Sequence, residues 1–212
     1  MDKNIDWYID KKVKRTIDSL EKHNIEAFYV NNEEELRKKI DEMIPKGAVV
    51  TNGDSITLLE AGVIDMLRSG DYTYLDKHKE GITSEEKKNI YEKSFTAHTY
   101  LSSTNALTEN GELYNIDGNG SRVAAMIYGP KQVIIVAGIN KIVRNLEEAE
   151  KRVRNYVAPL DAKKLGKNTP CTKVGYCVDC KSPERICNYF TVITGQFKKR
   201  IKVIIVNKNL GY

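Results

Sequence analysis

The sequence predicts an α/β protein with a mainly parallel sheet and helices on both faces. Three observations carry this expectation. Short apolar runs such as Ala48–Thr51 and Gln132–Gly138 recur along the chain without polar alternation, as strands buried on both faces do. Between them lie longer segments with apolar residues at helical spacing. Gly, Pro, Asn or Asp marks most changeovers.

Taken in order, Ile5, Tyr8, Ile9, Val13, Ile17 and Leu20 follow helical spacing, and His23-Asn24 supplies a stop. Ile25–Val30 reads as a strand. Asn32 and Glu35 then have the spacing of a capping box, heading a helix that carries Leu36, Ile40 and Met43 and ends at Pro45-Lys46-Gly47. Ala48–Thr51 is a buried strand that exits into Asn52-Gly53-Asp54-Ser55. A helical segment follows from Ile56 to about Leu67, broken at Gly62, and Tyr72–Leu75 is the next strand. Ser84–Phe95 reads as a charged helix and Ala97–Ser102 as a strand. A hairpin-like section has turns at Glu109–Glu112 and Asp117–Gly120 around the strand Leu113–Ile116. Arg122–Tyr128 is helical and stops at Gly129-Pro130. After Gln132–Gly138, Asn145 caps a helix Leu146–Val157, with Pro159 just beyond its end. From Asp161 to Asn188 the pattern breaks, and Tyr189–Ile193 and Ile201–Val206 are expected to return the chain to the sheet. The organisation expected is one domain over residues 1–212, with a Cys-rich, metal-binding insertion at 161–188.

Composition narrows the function classes. Lys and Arg number 34 against 29 Asp and Glu, and the charges are interspersed. A net +5 distributed in this way predicts no nucleic-acid binding, while leaving room for a local pocket for a small anionic ligand. No run reaches the roughly eighteen apolar residues of a membrane span, and Met1–Asn4 opens into an amphipathic stretch without a signal core. The expected location is the cytoplasm. The apolar face of the first helix suits a core or a homo-oligomer interface equally well.

Cys171, Cys177, Cys180 and Cys187 form C-x5-C-x2-C-x6-C, and the chain has no other cysteine. A Cys-x-x-Cys pair brings two thiolates to one metal centre from a single turn, and the outer pair completes a four-thiolate shell. Lys173, Lys181 and Arg185 lie nearby in sequence, where positive charge favours thiolates. Zinc usually favours two close pairs, so a [4Fe-4S] cluster is the expected cofactor and zinc the alternative. Disulfides, free thiols and a thioredoxin-type redox pair remain weaker readings.

Ligands of open α/β sheets bind beyond the carboxyl ends of the strands. Gly53, Asp54, Ser55 and Thr57 combine a permissive backbone with hydroxyls at a helix start, which suits a phosphate or carboxylate as well as a plain N-cap. Thr104, Asn105, Asp117, Gly118, Asn119, Gly120 and Arg122 concentrate small and polar groups at other strand exits, though each also has an ordinary turn or surface role. Glu60 and Glu109 are candidate carboxylates for acid–base work.

The runs Gly53–Gly62, Ser103–Leu113, Asp117–Ala124 and Val136–Val143 resemble the LUD-domain family over most of the chain. The resemblance implies a fold like that of ribose-phosphate isomerases and CoA-transferases. It also implies a role in lactate utilisation beside iron–sulfur oxidoreductase subunits. By the same resemblance, Gly53, Asp54, Ser55 and Thr57 map to a phosphate- or CoA-handling loop. Thr104, Asn105, Glu109 and Asp117 to Arg122 would form the facing wall. An isomerase- or transferase-like enzyme, or a binding module, for a phosphorylated or CoA-linked ligand is the alternative expectation.

Overall fold

A computed structural model describes residues 2–212. Helix α1 (Lys3–Lys22) is capped by the Asp2 carboxylate, buries Val13, Thr16 and Leu20, and stops at His23. Strand β1 (Glu26–Val30) leads to α2 (Glu33–Met43), where the Asn32 side chain accepts from the Glu35 amide and the Glu35 carboxylate accepts from the Asn31 amide. Strand β2 (Val49–Asn52) is followed by α3 (Ile56–Glu60) and α4 (Val63–Ser69), separated at Gly62 with φ 67°. Then come β3 (Thr73–Tyr74), α5 (Ser84–Ser94) with a Thr83/Glu86 capping box, and β4 (Thr99–Ser103).

The chain continues through β5 (Ala106–Thr108), β6 (Leu113–Asp117), α6 (Ser121–Ile127), β7 (Gln132–Gly138) and β8 (Ile142–Val143). Helices α7 (Leu146–Arg152), α8 (Ala158–Lys164) and α9 (Cys171–Val174) precede β9 (Tyr189–Ile193) and β10 (Ile201–Val206).

Six strands form a parallel sheet in the order β1-β10-β7-β4-β2-β3. Side chains along its central strand β7 alternate between two cores. Val133, Ile135 and Ala137 join Val13 and Leu20 of α1 and Val123 and Met126 of α6. Ile134 and Val136 face Leu36 and Ile40 of α2, Leu58 of α3 and Leu67 of α4. Helices therefore cover both faces, as the unalternating apolar strands predict.

Two expectations are corrected. Tyr189–Ile193 does not rejoin the main sheet. As β9 it pairs antiparallel with β6 in a second sheet of order β8-β5-β6-β9, packed against α7 through Ala106, Tyr114, Ala149 and Val153. Its largely exposed side chains suit an edge strand and would be costly in a sheet covered on both faces. The helix begun at Leu146 also does not stop before Pro159. It runs on to Lys164 through a π turn at Val153–Val157, in which the Ala158 amide donates to the Val153 carbonyl. A helical proline lacks an amide hydrogen and its ring crowds the carbonyl four residues back; the widened turn accommodates both. The first residues of the 161–188 segment are consequently helical.

Among the described residues, no helix is long and apolar enough to cross a membrane.

Candidate functional site

Parallel pairing of β7, β4 and β2 brings their carboxyl ends to one edge of the sheet. Gly53 leaves β2 there, its amide donating to the Leu101 carbonyl at 2.8 Å. A β-carbon at this position would lie 2.6 Å from Tyr100 Oη, 2.9 Å from Arg122 Cγ and 3.0 Å from Ser102 Oγ. Gly53 is therefore needed for close approach, and Gly53→Ala is expected to cost about 1–3 kcal/mol through overpacking. Urea unfolding checks this, and an unchanged midpoint would show that the neighbours yield freely.

Arg122 organises the facing wall. Its Nη1 donates to the Ser103 carbonyl at 3.0 Å and to Asn115 Oδ1 at 2.8 Å. Nη2 donates to Asn105 Oδ1 and the Ile116 carbonyl, both at 2.9 Å. With Asp117 Oδ2 3.6 Å from Nε, the guanidinium joins the ends of β4 and β6 and presents no free fork. Asn105 also accepts from the Ile116 amide, and Asp117 Oδ1 accepts from the Asn119 and Gly120 amides. Asn119 caps the Ser121 amide, and Thr104 Oγ1 donates to the Ala106 and Tyr114 carbonyls.

The structure thus brings Gly53, Asn105, Asp117 and Arg122 together, with Gly118 and Gly120 in the adjoining turn. Ser55 caps α3 by accepting from the Leu58 amide. Buried Thr57 donates to the Leu210 carbonyl, and the exposed Glu60 carboxylate accepts from the Gly211 amide at 2.6 Å. The final residues of the chain therefore lie across this loop. Glu109 sits at the far end of the β5–β6 hairpin, where its carboxylate is clamped by Arg15 at 2.6 Å, and it does not share the site with Glu60.

Three buried or partly buried charges here escaped the sequence reading. Lys77, 3% exposed, extends its Nζ to Asp54 at 3.1 Å, and burial lowers its pKa against the opposing pull of Asp54. Lys141, just past β7, donates to the Thr104 carbonyl and to the main-chain oxygen of Tyr212, and burial lowers its pKa to about 7. Burial raises the pKa of Asp161 on α8. The only sequence signal was placement of the two lysines after strand runs, which solvated lysines share.

The cysteines occupy the adjoining surface. Cys171, Cys177, Cys180 and Cys187 line one cavity with Ala158, Pro159 and Ala162 of α8. None forms a disulfide. Among the described residues, no three His, Cys, Asp or Glu side chains form a group that could hold a single metal ion. Arg185 donates to the Cys180 and Cys187 carbonyls at 2.7 and 2.8 Å, tying the loop's ends together. Burial raises the Cys187 pKa, with Arg185 opposing. Arg154, carried by the π turn, is held by Glu150 at 2.7 Å and by Asp179 at 3.3 Å; its pKa is raised by Glu150 first and also by Cys177. The loop touches the Arg122 wall, since Asn188 bonds the Asp117 and Gly118 carbonyls and Ile186 packs over Gly118.

Comparison with known proteins agrees with this architecture. A family model described as the LUD domain matches residues 13–206. No curated protein sequence matches the chain. A DUF162 family protein from Deinococcus radiodurans shares the fold with a TM-score of 0.53 and 12% identity, covering 94% of this chain and 98% of that one. Ribose 5-phosphate isomerase A from Neisseria gonorrhoeae overlaps 54% of each chain at 11% identity, with a TM-score of 0.35. With the family model spanning both cores and the full parallel sheet, the chain belongs to the LUD-domain family.

Proposed function

We propose that this chain is an iron–sulfur-binding component of a system oxidising lactate or a related 2-hydroxy acid, working with iron–sulfur oxidoreductase subunits. The carrying observation is that all four cysteines line one cavity against the wall built on Arg122. The donor set matches a four-iron cluster in number, one thiolate for each iron. A single zinc ion would draw all four onto one centre. Seating a cluster would require this cavity of about 20 Å³ to widen, beside residues 175–188, which form no helix or strand. A cluster bound there would supply single-electron transfer. Arg154 and Arg185 would offset its negative charge, and the loop's contacts with Asp117 and Gly118 would hold it beside the polar strand ends.

The test is metal and sulfide analysis of protein purified without oxygen. About four irons and four sulfides per chain are expected, with broad visible absorbance that bleaches on reduction. One zinc per chain would overturn the electron-transfer reading and leave a structural knuckle.

A further inference from the structure

Two of the four thiol sulfurs already carry hydrogen bonds from the chain itself. Thr169 Oγ1 lies 3.2 Å from Cys171 Sγ and has no other partner among the described residues. Thr169 is 2% exposed and lines the cavity with the four cysteines. Its carbonyl accepts from the Thr172 hydroxyl at 2.8 Å and from the Thr172 amide at 3.1 Å, which fixes the residue just ahead of α9. Cys177 Sγ accepts from the Asp179 amide at 3.4 Å. The Asp179 carboxylate is tied in turn to Arg154, whose guanidinium stacks on the Phe190 ring at 4.8 Å.

In the free thiol either partner of the Thr169–Cys171 contact can donate. A sulfur bound to iron has no hydrogen, so there the hydroxyl alone donates. Such a bond stabilises negative charge on the sulfur and so favours the reduced state of a cluster, whose potential depends on hydrogen bonds to its sulfurs. We propose that the Thr169 hydroxyl, donating to Cys171 Sγ, raises the reduction potential of the cluster held by the four cysteines. The inference rests on the iron–sulfur reading above and adds to it a residue outside the thiol ligands. The Asp179 amide acts in the same direction, but it belongs to the main chain, so Thr169 is the donor that a substitution removes cleanly.

The experiment compares full-length wild type, Thr169→Val and Thr169→Ser, each purified without oxygen, by iron and sulfide analysis and by potentiometric titration followed through visible absorbance. Thr169→Val should keep its iron and titrate at a lower potential. At the wild-type midpoint its oxidised-to-reduced ratio should rise from one to about ten, a shift of about 59 mV for one electron. Thr169→Ser, which keeps the hydroxyl, should return the midpoint to the wild-type value. If Thr169→Val does not hold iron, Thr169→Ala gives the same reading without the second methyl. A loaded Thr169→Val with an unchanged or higher midpoint would overturn this inference and leave the cluster reading intact. So would a Thr169→Ser midpoint as low as that of Thr169→Val, or loss of iron from all three variants. Wild type without iron would overturn both.

Discussion

Cys177→Ser is expected to abolish stable cluster binding, reducing iron and sulfide in anaerobically purified protein to background. Cys177 is one of four thiols around the cavity. Removing such a ligand should exceed the roughly 10–100-fold loss of metal affinity typical of an outer-shell change. Arg185→Gln supplies the comparison, because Arg185 donates to the Cys180 and Cys187 carbonyls and only positions the loop. It should retain a cluster that is lost faster to chelator. The unfolding midpoint of Cys177→Ser should fall to that of chelator-treated wild type and no further, since the thiol itself adds little to the core. Full iron content in Cys177→Ser would remove the four-cysteine assignment.

Lys141→Met should stabilise the protein at neutral pH and flatten its stability profile above neutrality. Burial lowers the Lys141 pKa from 10.5 to about 7. Between these values the unfolded chain binds a proton that the folded chain has lost, so native stability rises with pH across this window. Below about pH 7 both states are protonated, and the penalty for burying the ammonium is present in full. The gap corresponds to at most about 5 kcal/mol. Urea unfolding from pH 6 to 9.5, in buffers free of phosphate and carboxylate, should give a rising wild-type curve and a flatter, higher Lys141→Met curve. Parallel curves would show that Lys141 does not titrate in this range.

Much of the architecture was legible in the residues because local chemistry and tertiary packing agreed there. Asn32, Thr83 and Asn145 cap helices through side-chain bonds to backbone amides three residues on, and such bonds need no distant partner. Gln132–Gly138 reads as a doubly buried strand because both its faces are apolar, and β7 is the centre of the sheet. Clustering of the cysteines is equally a matter of sequence. Their placement beside the loop of Asp117 to Gly120 is not.

What the sequence determined by itself was the α/β class, the order of the main-sheet strands other than β10's neighbours and of the larger helices, and the confinement of every thiol to one segment; the short strands β5 and β8 and the helices α8 and α9 it did not give. Only the tertiary structure decided that β9 leaves the main sheet for the free edge of β6, since both edges accept an apolar strand and local pattern does not choose between them. It alone carried the helix past Pro159, because the π turn that admits the ring is held by packing of Val153 and Val157. The roles of charged groups also waited on it. Arg122 is committed to four acceptors from β4, β6 and their loops, Glu109 is drawn away to Arg15, and Lys141 is buried against main-chain oxygens of Thr104 and Tyr212. These outcomes depend on contacts between residues far apart in the chain, whose pairing no local spacing encodes.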